Sequence, residues 1–174
     1  LLWIDDRCRP SEKPDRILAL AASRGVPVEA KPRSDLDQIA QGDIHNGLIG
    51  FGEALPQPTL KEVLDTVEGA GEDPFILILD EVQYEQNLGA ILRTAAWSGV
   101  HAVVVPTRRG AGLSPIVQRI AMGGAEVVPV VREGLMSALA TLRRRGVRIL
   151  GAEADGVRAW CEVPMDGPLA IVLG

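Results

Sequence analysis

Apolar runs of four or five residues alternate along this chain with longer stretches of helical spacing. Phe75 to Leu79 (FILIL) reads as a buried strand, and Asp80 to Gln86 as the polar loop after it. Asn87 then suits an N-cap, and Leu88 to Trp97 carries apolar residues at helical spacing until Gly99. Ala102 to Val105 predicts a second strand, and Pro106 to Gly112 (PTRRGAG) a polar loop. Ser114 caps a predicted helix running to Met122, which Gly123 and Gly124 end. Val127 to Val131 predicts a strand, Gly134 to Arg145 a helix, Val147 to Leu150 a strand and Gly151 to Gly156 a loop. Leu169 to Leu173 is the last predicted strand. Strands alternating with helices predict an α/β fold, its parallel sheet covered on both faces.

The front of the chain has the same rhythm on a smaller scale. Leu1 to Ile4 predicts a strand, Asp15 to Ser23 a helix, and Val26 to Glu29 a strand. Ser34 is placed to cap a short helix from Asp35 to Ile39, and Asn46 to Phe51 predicts a third strand. This βαβαβ pattern fits a small three-layer module. Between Glu53 and Asp73 the composition shifts to Pro56, Pro58, Gly69 and Gly71, around a weak helical piece near Leu60 to Val67. The reading places a domain at 1–55, a linker at 56–73 and a second domain at 74–174.

A strand, a loop and a helix start form a common ligand site in α/β folds, because the strand's carboxyl end meets the helix N-terminus. Arg93 follows Gly89 by four residues, so the two share a helix face, and Arg93 is expected to lean back over the bare glycine. That would set a permanently charged fork beside the Asn87 amide, suited to phosphate or carboxylate. The same residues also fit a cap, a packing contact and a surface ion pair, and spacing leaves this choice open. Two further strand ends, Gly151 to Gly156 and Gly174, are candidate ligand loops. GAEADG is not a G-x-G-x-x-G fingerprint, and no Walker A lysine motif occurs.

The totals narrow the picture. The chain has 174 residues, 47% hydrophobic but 3% aromatic, so its core rests on Leu, Ile, Val and Ala. A net charge of −5 argues against a uniformly basic coat and leaves room for a local basic groove. Cys8 and Cys161 read as free thiols, and neither they nor His45 and His101 have metal spacing, so no metal is expected. No apolar run reaches membrane-spanning length and no signal peptide is visible, so a cytoplasmic protein without membrane attachment is expected. The chain opens on Leu1 rather than Met and stops on Gly174 just after a strand, which suggests trimming at both ends.

The segment NLGAILRTA, residues 87–95, following the strand ILILDEV, resembles the first motif of the SpoU–TrmH family of RNA ribose 2′-O-methyltransferases, in the SPOUT superfamily. GVHAVVVP, GGAEVVPVV, RGVRILGAEADG and PLAIVLG follow in that family's order, the last resembling the start of its second motif. The front stretch ASRGVPVEAKPRSDLDQIAQGDIHNGLIGF is similar to the ribosomal-protein-L30e-like substrate-binding domain of ribosomal-RNA members.

The resemblance implies a fold, a reaction and a site. The fold is an α/β knot with a homodimer interface, and the cofactor is S-adenosylmethionine. Asn87 and Arg93 match the catalytic pair. Gly151, Ala152, Leu173 and Gly174 match backbone contacts to the cofactor. Arg108, Arg109 and Arg119 are expected phosphate contacts. The substrate class is RNA, with ribosomal RNA of the 23S guanosine type favoured over transfer RNA. The family's third motif and the Glu of its second do not occur in these residues, so an incomplete knot is expected. Tyr84, Glu85 and Gln86 also depart from the usual residues before the Asn. Those departures keep a non-catalytic RNA-binding module in view, whereas an unrelated nucleotide-binding enzyme lacks its phosphate loop.

Overall fold

The computed structural model describes residues 1–9, 11–108 and 110–174, and the chain divides into two compact units, Leu1–Ala54 and Leu55–Gly174.

The first unit holds β1 (Leu2–Asp5), α1 (Glu12–Ser23), β2 (Val28–Lys31), α2 (Arg33–Ala40) and β3 (Leu48–Gly50). Its sheet has the order β2-β1-β3, with β2 parallel and β3 antiparallel to β1. Ser34 is not the cap expected of it. The helix starts two residues earlier, at Arg33, Pro32 is its N-cap, and the Ser34 hydroxyl turns instead to Asp35 Oδ1 at 3.2 Å. Asp5, buried at the end of β1, accepts hydrogen bonds from the Arg7 amide at 2.9 Å and Arg33 Nη1 at 3.2 Å. A buried carboxylate needs such partners to offset the water it gives up.

The second unit opens with α3 (Leu60–Gly69). Thr59 and Glu62 form a reciprocal capping box at its start, and Leu60, Val63, Leu64 and Val67 bury one face. Part of the stretch read as a linker is therefore a packed helix. The helical piece read near Leu60 to Val67 is there, and its apolar residues at positions 60, 63, 64 and 67 pack into the core of the second unit rather than lying in a connecting stretch.

Then come β4 (Phe75–Leu79), α4 (Glu85–Trp97), β5 (Ala102–Val105), α5 (Pro115–Ala121), α6 (Gly124–Val127), β6 (Val130–Arg132), α7 (Leu135–Arg144), β7 (Arg148–Ala152) and β8 (Leu169–Leu173). The five strands pair in parallel in the order β6-β5-β4-β8-β7. Both faces are covered. Ile76, Ile78, Ala102, Val104 and Ala170 pack against α3 and α7, while Leu79, Val103 and Val105 pack against α4, α5 and α6. Burial on both faces is why these strands are almost unbroken apolar runs.

Gly123 and Gly124 do not simply end a helix. Gly123 takes a left-handed φ of 95°, and a second short helix, α6, ends on Val127, the residue predicted to begin a strand. The strand itself starts later, at Val130. Val127 and Val128 carry strand propensity, but the Gly-Gly turn allows α6 to dock on α4, and packing overrides propensity.

Candidate functional site

From β4 the chain lays down β5 and β6 in one direction, then crosses back to place β7 and β8 on the other side of β4. The strand order reverses between β4 and β8. In open α/β sheets the crevice at such a reversal, outside the carboxyl ends of the strands, is where ligands bind. Three expected loops meet there. Ala152 lies in register with Leu173, and Leu173 with Leu79. The Asp80 amide donates to the Leu173 carbonyl at 2.7 Å. A Cβ on Gly174 would stand 3.2 Å from Asp80 Cβ, so glycine lets these two strand ends close together.

Gly151, Ala152, Leu173 and Gly174 thus lie along one sheet edge. Gly151 and Ala152 are exposed, and no atom lies within 4 Å of where a Gly151 Cβ would be. Backbone at that point is open to close approach by a ligand. Glu81, next to this edge, has a φ of 63°, a left-handed conformation that is unusual for a residue with a side chain.

The helix that leaves this edge differs from its expected form in two ways. First, Asn87 is not the N-cap. α4 begins at Glu85 with Tyr84 as N-cap, and the Asn87 amide reaches the Tyr84 carbonyl at 3.1 Å. The chain already turns into the helix at Tyr84, and Glu85 in the first turn favours the positive end of the helix dipole. Asn87 is exposed one turn further in.

Second, Gly89 is not an open floor beneath Arg93. It is buried against α5: a Cβ there would stand 2.7 Å from Ile120 Cβ and 3.0 Å from the Val117 carbonyl oxygen. Of the readings that spacing left open, the packing contact is the one realised. Gly124 plays the matching part in α6, where a Cβ would stand 2.6 Å from the Leu92 carbonyl oxygen and 2.9 Å from the Arg93 amide nitrogen. The backbone around Arg93 is therefore clamped by neighbouring helices. Its side chain is exposed and makes no ion pair among the described residues. An apolar groove of about 350 Å³ runs along α4, lined by Phe75, Leu77, Ile91, Thr94 and Leu173 among others.

The expected phosphate contacts are spread over neighbouring elements. Arg108 is exposed on the loop after β5, and Arg119 lies on α5. Arg109 lies outside the described residues. Ser114 caps α5 as expected, its hydroxyl accepting from the Val117 amide at 3.2 Å. Arg132, at the end of β6, was not singled out from the sequence, yet its Nη2 donates to the Thr107 carbonyl at 3.0 Å. The Ala111 amide donates to the Val82 carbonyl at 3.1 Å, joining the loops after β4 and β5. Among the described residues, no group of three or more His, Cys, Asp or Glu side chains is placed to hold a metal, and no helix is long and apolar enough to cross a membrane.

A doubly wound parallel sheet with Gly151 and Gly174 at the strand-order reversal, preceded by a small α/β unit, defines an α/β protein of two units. The SpoU rRNA methylase family matches residues 74–174, and the family described as RNA 2′-O ribose methyltransferase substrate binding matches residues 2–58. This chain belongs to the SpoU rRNA methylase family. It is 34% identical over 176 residues to the 23S rRNA (guanosine-2′-O-)-methyltransferase RlmB of Pseudomonas putida, covering 99% of this chain and 69% of that protein.

The fold matches the SpoU methyltransferase AviRb of Streptomyces viridochromogenes with a TM-score of 0.72 at 20% identity, over 98% of this chain and 62% of that one. AviRb has also been crystallised in complex with AdoMet, a structure that matches with a TM-score of 0.69 at 18% identity, over 98% of this chain and 63% of that one. The chain thus spans less than two thirds of these solved structures.

Proposed function

We propose that the protein containing this chain transfers a methyl group from S-adenosylmethionine to a ribose 2′-hydroxyl of RNA, with a guanosine of 23S-type ribosomal RNA as the favoured target. One observation carries the reading. Both parts of the chain match, in order, the two modules of an RNA 2′-O-methyltransferase, and one relative at 34% identity over nearly the whole chain bears that activity in its name.

On this reading residues 1–55 form an L30e-like unit that holds the RNA, and residues 74–174, packed on α3, bring the methyl donor and the ribose together. Gly151, Ala152, Leu173 and Gly174 hold the cofactor through backbone at the strand-order reversal. The cofactor supplies an electrophilic methyl on a sulfonium. The protein must align the 2′-oxygen with that methyl and ease the loss of the hydroxyl proton. Arg93 clamps the neighbouring phosphate and stabilises the developing negative charge on the 2′-oxygen, since a guanidinium stays protonated in ordinary surroundings. Asn87, six residues before it in the same helix, orients Arg93 or the ribose. Arg108, Arg109 and Arg119 bind flanking phosphates. The active form is a homodimer working in the cytoplasm without a metal.

Support for Arg93 comes from the motif match rather than from a preformed pocket, because its side chain is exposed. That exposure also favours a second reading, an RNA-binding protein that has kept the fold without the chemistry. The full-length protein is to be incubated with labelled S-adenosylmethionine and ribosomal RNA lacking its own 2′-O-methyl groups. Label in RNA, largely lost in Arg93→Ala, supports the proposal. RNA binding with no heat of binding for S-adenosylmethionine would establish the second reading instead.

A further inference from the structure

Resting on the RNA-methyltransferase reading, we propose that Arg132 is a positioning residue for RNA: it holds the loop after β5 so that Arg108 meets a backbone phosphate. Arg132 ends β6, the strand beside β5, and reaches over to that loop. Its Nη2 donates to the Thr107 carbonyl at 3.0 Å, near the start of the loop. Its Nη1 lies 2.6 Å from where a Cβ on Gly112 would stand, near the end of the loop. One planar guanidinium therefore spans both ends of the turn that carries Arg108. Gly112 is glycine for a visible reason, since a methyl there would displace the fork.

The loop is held from its other side as well. The Ala111 amide donates to the Val82 carbonyl at 3.1 Å, which ties it to the segment leading into α4 and Asn87. A change at Arg132 is thus transmitted to two loops at the edge where ligand is expected. A guanidinium presents its donors in a fixed plane, so the contact to Thr107 stiffens the loop that carries Arg108. Lysine has the charge but not the fork, so it cannot span both ends.

The test is a double-mutant cycle in the full-length protein. Affinity for a 23S ribosomal RNA transcript is measured for wild type, Arg132→Met, Arg108→Ala and the double variant, with affinity for S-adenosylmethionine followed by calorimetry. Removing a residue that acts through Arg108 is expected to weaken RNA binding about tenfold, and the double variant is expected to be little worse than either single one, because coupled sites are not additive. Arg132→Lys is expected to recover only part of the loss, and cofactor affinity is expected to stay within about twofold of wild type. Strictly additive losses, unchanged RNA affinity, or a parallel fall in cofactor affinity would each overturn the proposal. If Arg132→Met does not fold, Gly112→Ala displaces the same fork and takes its place in the cycle under the same criteria. A wild type that binds RNA and transfers no methyl group defeats the proposed reaction, while the cycle still decides the role of Arg132.

Discussion

Gly89 of α4 and Ile120 of α5 meet so closely that a Cβ on the glycine would stand 2.7 Å from the Ile120 Cβ. Alanine at 89 gains about 1 kcal/mol of helix propensity over glycine. Overpacking against a β-branched side chain and the Val117 carbonyl costs about 1–3 kcal/mol and outweighs it. Gly89→Ala is expected to lower stability in urea unfolding by about 1 kcal/mol, the difference between these terms.

Gly124→Ala is expected to be worse, by about 3 kcal/mol, because the obstacle is the backbone of α4 at Leu92 and Arg93, which cannot rotate away as a side chain can. The same unfolding series reads both variants. A Gly124→Ala protein as stable as wild type would mean that α6 does not dock on α4 as described.

The capping box of α3 is expected to be worth a measurable amount even though it lies at the surface. Thr59→Ala removes the hydroxyl that receives the Glu62 amide at 3.2 Å, and is expected to cost about 1 kcal/mol in thermal unfolding. Thr59→Ser keeps the acceptor and should behave as wild type.

Two carboxylates on α3 make stability fall in acid. Glu62 is held below its ordinary value first by the Thr59 amide, and Asp65 below its own first by Arg145, then by Lys61. A carboxylate with a depressed value in the folded protein takes up a proton on unfolding. The stability it contributes is therefore complete above about pH 4.5, the region of the unfolded values, and is lost as pH falls through the lower folded values. Acid titration followed by circular dichroism is expected to show a shallower decline in Glu62→Gln with Asp65→Asn than in wild type. An unchanged slope would remove these two groups from the account.

Arg93→Ala in the full-length protein is expected to reduce methyl transfer by about 10²–10³-fold, the usual effect of deleting one electrostatic contact to developing charge. Cofactor affinity should be retained. Arg93→Lys is expected to recover little, since a flexible point charge does not reproduce a planar bidentate fork. Single-turnover transfer, measured beside calorimetry, distinguishes loss of chemistry from loss of binding.

Much of the second unit was legible before any coordinates. β4, β5 and β8 occupy the expected residues, because strands buried on both faces leave unbroken apolar runs that need no partner to be recognised. Ser114 capped its helix as expected because capping is a local bond. Boundaries set by packing were harder to read. The start of α4 at Glu85, the short α6, and the docking of α3 on the second unit's sheet all depend on what lies across from them.

The chain by itself determined an α/β alternation, the glycine-marked strand ends and the motif around residues 87–95, because each is a local pattern written in consecutive residues. Only the tertiary structure decided that Gly89 serves helix contact rather than an open phosphate seat, and that Asn87 lies inside its helix. It also brought Arg132 to a loop 25 residues away in sequence. Such facts turn on which surfaces come within a few ångströms after the sheet has ordered its strands, and no spacing along the chain records that.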